Sequence, residues 1–295
     1  MKEDASLFKY ELAFVIIIKN GAPYMREWID YHRLAGVDHF YFYDNDSTDN
    51  LKEVLQPYIA VGVVDYAKMP GQRPQCAAYN DAVKKYRFDC RYMGFYDDDE
   101  FVKPTNPNRS IKDVLHEVLD NRPQAAGLTT NGYGFGSSGH EKADYGTDVI
   151  ERFLKRGENA YTHPKLIANP RLISFVDNPH YLNFFDGKIS INSKGERNAF
   201  INPVDMKFIL MPAVVDTISH NHYHFKSREE YLKKIGRGTD VYHMSLQLNI
   251  ERFDKSANLP AANAVFDDRI VQYRNKLRES DTHTHKGRLK IRSAC

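Results

Sequence analysis

Apolar and polar positions run in alternating blocks along the first third of the chain. Leu12–Ile18, "LAFVIII", is an unbroken β-branched run of the kind that fills a strand buried on both faces. "PYMREWIDYHRLAG" follows, with Tyr24, Trp28, Tyr31 and Ala35 at helical spacing and Gly36 as a stop signal. His39–Asp44, "HFYFYD", predicts the next strand, and Ser47–Tyr58 a helix with Asp46 or Ser47 as its N-cap. Val61–Tyr66 predicts a third strand. "PQCAAYNDAVKKYR" predicts a helix with Ala78, Ala82 and Tyr86 on one face, and Arg91–Asp97 a fourth strand. Strands alternating with helices imply right-handed crossovers and an α/β fold with a mostly parallel open sheet. Ligands of such sheets sit beyond the carboxyl ends of the strands. Two acidic stretches fall there: "YDNDSTD" (Tyr43–Asp49) and "DDDE" (Asp97–Glu100).

Beyond Pro104 the rhythm changes. Ser110–Asn121 reads as an amphipathic helix and "AAGLTTNGY" as a strand. Gly132–Gly146 has too many glycines for a strand or helix interior and predicts a long functional loop. Short strands are expected near Lys165–Ala168, Leu172–Val176, Lys188–Asn192 and Val214–Ser219. Helices are expected over Ser227–Gly236 and Asp267–Glu279. No repeat or Pro/Ser linker interrupts the pattern. One catalytic domain over 1–260, followed by a C-terminal helix and a loosely ordered basic tail over 261–295, fits best.

Composition narrows the function. A net charge of +2 over 295 residues argues against a nucleic-acid partner, which draws a marked basic excess. Three scattered cysteines form no metal pattern and suggest a reducing, cytoplasmic setting. Acidic residues precede the first apolar run and no small-residue cleavage site follows it, so it reads as a strand rather than a signal peptide. The basic tail allows peripheral contact with the inner face of a membrane, although a plain surface tail is the blander reading.

The acidic runs carry the first chemistry. In extended backbone, Asp97 and Asp99 project to one side and Asp98 to the other. Two hard oxygen ligands suit Mg²⁺ or Mn²⁺ carrying phosphate oxygens, though a bare DxD is also a common solvated turn. "DNDSTDN" starts like a calcium loop, but Asp49 and Leu55 stand where that loop needs Gly and Glu. His220, His222 and His224 alternate. On a strand they share a face, either as a zinc site or as one added ligand to a hard cation. The Gly-rich stretch has no Walker pattern.

Several blocks together resemble one family. "IIIKNGAPYMREWIDYHRLAGVDHFYFYDNDSTDN", "QCAAYNDAVKKY", "YMGFYDDDEFVKP", "SSGHEKADYGTDVIERF" and "HNHYHFKSREEYLKKIGRG" are similar in order and spacing to glycosyltransferases of the GT-A fold. The resemblance is to bacterial family-2-like proteins grouped with glycosyltransferase family 92, formerly a domain of unknown function 23. It covers most of residues 12–238. One departure is Gly21, where relatives often carry Glu after Lys-Asn.

The resemblance implies a Rossmann-like central sheet flanked by helices. It also implies transfer of a sugar, with galactose as one option, from a nucleoside-diphosphate donor such as a UDP-sugar to a glycan or lipid-linked acceptor, with inversion. Asp44 and Asn45 would hold base and ribose, with Lys19 and Asn20 beside them and Gln75, Asn80 and Asp98 on the nucleotide side. Asp97 and Asp99 would take metal and ribose, and His222 would be a third metal ligand to Mn²⁺ or Mg²⁺. Lys226 and Arg237 would approach the diphosphate. An inverting enzyme needs one carboxylate base. Candidates are Glu141, Asp144, Asp148 and Glu151, with Glu151 favoured because "ERF" is shared with the family. Asp186 and Asp216 are further candidates for the base, and His180 is a donor or acceptor contact. Competing readings are an inactive nucleotide-sugar or glycan-binding module and a two-metal phosphodiesterase.

Overall fold

The computed structural model describes residues 7–198, 200–201, 209–210, 212–236 and 246–292. Its first half alternates β1 (Tyr10–Ile18), α1 (Ala22–Leu34), β2 (His39–Asp44), α2 (Leu51–Ala60), β3 (Val64–Lys68), α3 (Gln75–Tyr86) and β4 (Cys90–Phe95). β1 pairs in parallel with β2 and β4, and β2 with β3, giving the order β3-β2-β1-β4. Every residue of β2 and β4 is buried, as continuous apolar strands covered on both faces should be. α1, α2 and the later α4 (Ile111–Leu119) cover one face of the sheet and α3 the other.

The second half makes the sheet mixed. β5 (Glu100–Pro104), β6 (Ala125–Gly134) and β8 (Tyr161–Ala168) join it. The short β7 (Lys155–Arg156) lies outside, and β9 (Ile173–Asn178) and β10 (Tyr181–Phe184) form a separate hairpin. β11 (Ile189–Ile191) pairs with β6, while β12 (Phe200–Ile201) and β13 (Ile209–Leu210) pair with each other. β14 (Ile218–His222) runs parallel to β6 and antiparallel to β5, and β8 is antiparallel to both β4 and β6. These directions bring the ends of β1, β2, β4, β6 and β14 and the starts of β5 and β8 to one edge. That edge carries the chemistry.

Three expectations shift. α2 starts at Leu51 after Asn50, because the polar "DNDSTD" stretch is a loop stapled from both sides: Ser47 N–H donates to Asp44 Oδ1 (2.8 Å) and Thr48 N–H to Asn20 Oδ1 (2.6 Å). The strand expected at Val214–Ser219 is Ile218–His222, set by its register of His222 opposite Glu100. Gly132–Gly134 belongs to β6 rather than to a loop. Gly132 is needed there because a Cβ would lie 1.9 Å from the His220 carbonyl oxygen on the neighbouring strand.

β5 would be an unpaired edge beyond β14, a position folds normally protect. α1 covers it with side chains. Trp28 Nε1 donates to the Glu100 carbonyl (2.9 Å), Tyr31 Oη to the Val102 carbonyl (3.0 Å), and His32 Nε2 accepts Val102 N–H (3.3 Å). Burial pushes the His32 pKa down to about 3, so the ring stays neutral and can accept. The alternating aromatics of α1 therefore fix the backbone of the "DDDE" corner.

Helix α8 (Arg269–Arg292) runs through the basic tail rather than ending before it. It follows α6 (Arg228–Gly236), α7 (Leu246–Ser256) and β15 (Val265–Phe266). β15 pairs with β7, and Arg274 of α8 binds Asp148 (2.8 Å). No helix among the described residues is long and apolar enough to cross a membrane.

Candidate active site

The chain leaves β4 through Tyr96 and turns at Asp98 and Asp99 before entering β5. The turn breaks the alternation expected of extended backbone, so Asp97 and Asp99 part company. Asp97 accepts from Gln75 Nε2 (2.8 Å) and from the ammonium of Lys165 (2.7 Å). Lys165 is fully buried on β8 and also lies 3.3 Å from Glu100. Burial opposes its charge, but Asp97 and Glu100 together hold its pKa well above the ordinary lysine value. Glu100 is itself pushed up to about 7, chiefly by burial.

Asp99 faces β14. Its carboxylate lies 3.4 Å from His222 Nε2 and 2.6 Å from Lys234 Nζ, on α6. Burial disfavours the charge, yet Lys234 and His222 keep the Asp99 pKa well below the usual carboxylate range. On His222, burial is outweighed by Asp99, and the pKa rises. Asp99, His222 and His224 offer ligand atoms within 4.8 Å of one another. His224 Nδ1 stands 3.4 Å from Lys234, while its buried Nε2 has no hydrogen-bond partner. A buried, unpartnered imidazole nitrogen beside an ionised carboxylate fits a cation ligand, since a cation satisfies both groups.

Of the predicted metal group Asp97, Asp99 and His222, the described geometry gathers Asp99 and His222 with His224, while Asp97 turns to Lys165. His220 does not join: its Nδ1 meets Thr130 Oγ1 (3.3 Å), and His224 lies beyond the end of β14, where alternation no longer applies.

The other predicted residues divide. Lys19 and Asn20 end β1 at the same edge, Lys19 half-buried and Asn20 holding the 48–49 backbone. Asp44 accepts from Ser47 N–H and Tyr66 Oη, and Asn45 Nδ2 donates to the Met69 and Gly71 carbonyls (both 3.0 Å). These side chains shape the crevice rather than point freely into it. Asn80 is a scaffold residue. Its amide donates to the Cys76 and Val176 carbonyls and accepts Val176 N–H, tying α3 to β9. Asp98 and Lys226 line one cavity with Lys234. Lys226 is buried in left-handed backbone (φ 55°), and burial lowers its pKa despite Asp99 and Asp98 nearby. Arg237 lies outside the described residues.

None of the predicted bases belongs to the Asp99–His222–His224 cluster. Asp148 starts and Glu151 belongs to the short α5 (Val149–Arg152), and Arg274 binds both carboxylates. Glu141 is exposed, and its carbonyl accepts Glu229 N–H. Asp186 and Asp216 sit in turns, Asp186 in left-handed backbone and Asp216 3.0 Å from Lys194. His180 Nδ1 meets the Pro164 carbonyl, and burial with Lys165 nearby lowers its pKa to about 3.

Sequence reasoning did not single out Lys165, Lys234 or Glu100. Lys165 had a signal: one lysine inside the apolar run "PKLIA" asks for a buried anion.

α5 and α6 are locked together under this edge. Arg152 makes two 2.9 Å bonds to Glu230, which also accepts from Ser227 Oγ (2.6 Å) and Tyr24 Oη (3.1 Å). Both charged partners are buried. Arg152→Met strands an anion there and should destabilise the fold by about 3–5 kcal/mol, read as a lower urea midpoint; an unchanged midpoint would refute this assignment.

Glu27 receives the Val149 and Ile150 N–H groups at 2.8 and 3.0 Å. Burial still pushes its pKa up to about 7. The folded state therefore keeps a proton that the unfolded chain releases near pH 4.5. Glu27 contributes most at acid pH and progressively less up to about pH 7. The stability of wild type relative to Glu27→Gln should fall across that interval, and a difference independent of pH would contradict the shift.

Comparison with known proteins came to the same family. The chain is 29% identical over 195 residues to a glycosyltransferase family 92 protein of Oryza sativa subsp. japonica, covering 62% of this chain and 33% of that one. It is 25% identical over 239 residues to galactan beta-1,4-galactosyltransferase GALS2 of Arabidopsis thaliana, covering 74% of this chain and 41% of that one. The chain thus spans about a third of the length of the first of these relatives. Among solved structures, Staphylococcus aureus TarS 1–349 aligns over 84% of this chain and 71% of that one, at 11% identity and a TM-score of 0.42. The sequence profile of glycosyltransferase family 92 matches residues 20–258, and the chain belongs to that family.

Proposed function

We propose that this chain transfers a sugar from a nucleoside-diphosphate sugar, with UDP as the nucleotide, to a saccharide hydroxyl, using a GT-A-type donor site. The observation that carries the reading is the Asp99–His222–His224 cluster beside Lys226 and Lys234, at the carboxyl edge of a nucleotide-binding type of sheet. Family membership and the galactosyltransferase names among the relatives support it. Galactose is the first donor sugar to test.

Asp99, His222 and His224 would hold the divalent cation. One carboxylate with two imidazoles suits Mn²⁺ better than Mg²⁺, which prefers an all-oxygen shell. Such an ion neutralises charge on a departing diphosphate. Lys226 and Lys234 add fixed positive charge on the same side and stabilise the leaving group as it becomes more negative. Asp97 and Gln75, held by Lys165 and Tyr79, present a rigid polar surface for the ribose. The 45–49 loop, preformed by Asp44 and Asn20, bounds the base. Preformed walls reduce the ordering cost of binding.

The test is UDP release from a panel of UDP-, GDP- and dTDP-sugars with Mn²⁺, with and without EDTA. UDP release that EDTA abolishes is expected. No release from any donor, with any acceptor extract, would overturn the reading.

A further inference from the structure

Two cavities open beside the Asp99 cluster. One, of about 330 Å³, is lined by Asp98, His224, Lys226 and Lys234. The other, of about 520 Å³, runs between the start of α1, residues 145–149 and the outer face of α8. Pro23, Tyr24, Asn50 and Tyr145 line both, so the two adjoin, with the cluster on the side of the smaller one. Each lies within the size range of small-molecule and oligosaccharide clefts.

The walls of the outer cavity indicate what it takes. Tyr145 is 48% exposed and stands edge-on to Tyr24, with centroids 6.1 Å apart. Lys233 lies over its ring at 5.3 Å and reaches its hydroxyl at 3.4 Å. An exposed ring held on both sides is a platform for an apolar face. The charged groups deeper in the cavity are already matched: Arg274 with Asp148 and Glu151, Arg152 with Glu230, and Glu27 with two backbone amides. At the outer rim Asp30 accepts from Tyr58 Oη (2.8 Å), while the exposed Arg26 and Arg278 have no ion pair among the described residues.

Three ligand classes can be compared. A lipid chain needs a continuous apolar wall, and here Ala22, Pro23, Val54 and Val149 are interrupted by Arg26, Glu27, Asp30, Asp148, Arg152 and Arg274. A polyanion would meet Glu27, Asp30 and Asp148 along the same walls. A neutral saccharide meets neither obstacle. The C–H face of a pyranose packs on a tyrosine ring, and its hydroxyls both donate to carboxylates and accept from guanidinium groups.

We propose that the two cavities form one groove, that this groove is the acceptor subsite, and that it seats a chain of neutral sugars whose end reaches the Asp99 cluster. The proposal rests on the glycosyltransferase reading for the word acceptor, but its saccharide binding is separately measurable. The probes are neutral tetrasaccharides, β-1,4-galacto-, β-1,4-gluco- and α-1,4-gluco-linked, titrated calorimetrically into the full chain with UDP and Mn²⁺ present. At least one is expected to bind. Tyr145→Ala and Arg278→Ala, both at exposed positions, should each weaken that binding roughly tenfold, and in Arg278→Ala, which lines only the outer cavity, the UDP affinity measured on the same sample should change by less than about twofold. Binding of none of the three, or unchanged saccharide affinity in both variants, would overturn the groove assignment. A wild type that binds a tetrasaccharide through Tyr145 but neither binds nor releases UDP would instead overturn the transferase reading and leave the groove in place.

Discussion

Replacing Asp99 by asparagine is expected to abolish Mn²⁺-dependent UDP binding and to reduce sugar transfer by at least about a thousandfold. Asp99 is the only carboxylate in the cluster with His222 and His224. An amide of the same shape keeps the packing but removes the charge that attracts a cation, leaving two imidazoles beside the Lys234 ammonium. That arrangement repels a divalent ion. The fold should survive, because Tyr223 N–H donates to the backbone carbonyl of residue 99 (2.8 Å), which the substitution leaves intact. Calorimetry with Mn²⁺ and UDP reads the binding, and a thermal melt confirms the fold. A folded Asp99→Asn protein with wild-type transfer would remove this residue from the site. Asp97→Asn should affect nucleotide affinity more than metal affinity, because Asp97 lies outside the Asp99–His222–His224 cluster.

Lys165→Met should cost stability at least as much as Arg152→Met. The side chain sits fully buried between Asp97 at 2.7 Å and Glu100 at 3.3 Å. Taking away the cation strands two carboxylates in a low-dielectric pocket, at a cost of about 3–5 kcal/mol. The sign of its pH dependence is also fixed. Burial already pushes Glu100 up to about 7 with the lysine present, while Asp97 is held below its ordinary value; without the lysine both move up. In the variant the folded state then holds protons that the unfolded chain loses above about pH 4.5. Its deficit relative to wild type should be smallest near pH 5 and grow towards pH 8. Urea denaturation at several pH values measures this. A deficit that stays constant, or that shrinks as pH rises, would mean that the triad does not carry charge as described.

Much of the framework was legible because it obeys local rules. The β-branched run Leu12–Ile18 and the aromatic "HFYFY" admit little but buried strands, and the helical spacing of Tyr24, Trp28 and Tyr31 located α1. The carboxyl-edge rule then placed both acidic runs at the crevice from connectivity alone. Where the structure departs from the local rules, the cause is long-range partners. Asp97 and Asp99 separate because a turn, rather than extended backbone, follows Tyr96, and because Lys165, 68 positions along the chain, claims one of them. His224 joins His222 only because the chain bends after β14. The candidate bases Asp148 and Glu151 gain a partner from α8, more than a hundred residues on, which brings Arg274 against both. Gly132 looked like loop chemistry, yet it serves a close strand-to-strand approach that no neighbouring residue announces.

The central claim is that a divalent cation binds at Asp99, His222 and His224 rather than at the Asp97–Asp99 pair of the sequence motif. Anomalous diffraction from crystals grown with Mn²⁺ and UDP tests it most directly. The account predicts one manganese peak bonded to Asp99 and both histidines, with Asp97 still paired to Lys165. A peak shared by Asp97 and Asp99, or no manganese at this edge while UDP is bound, would contradict it.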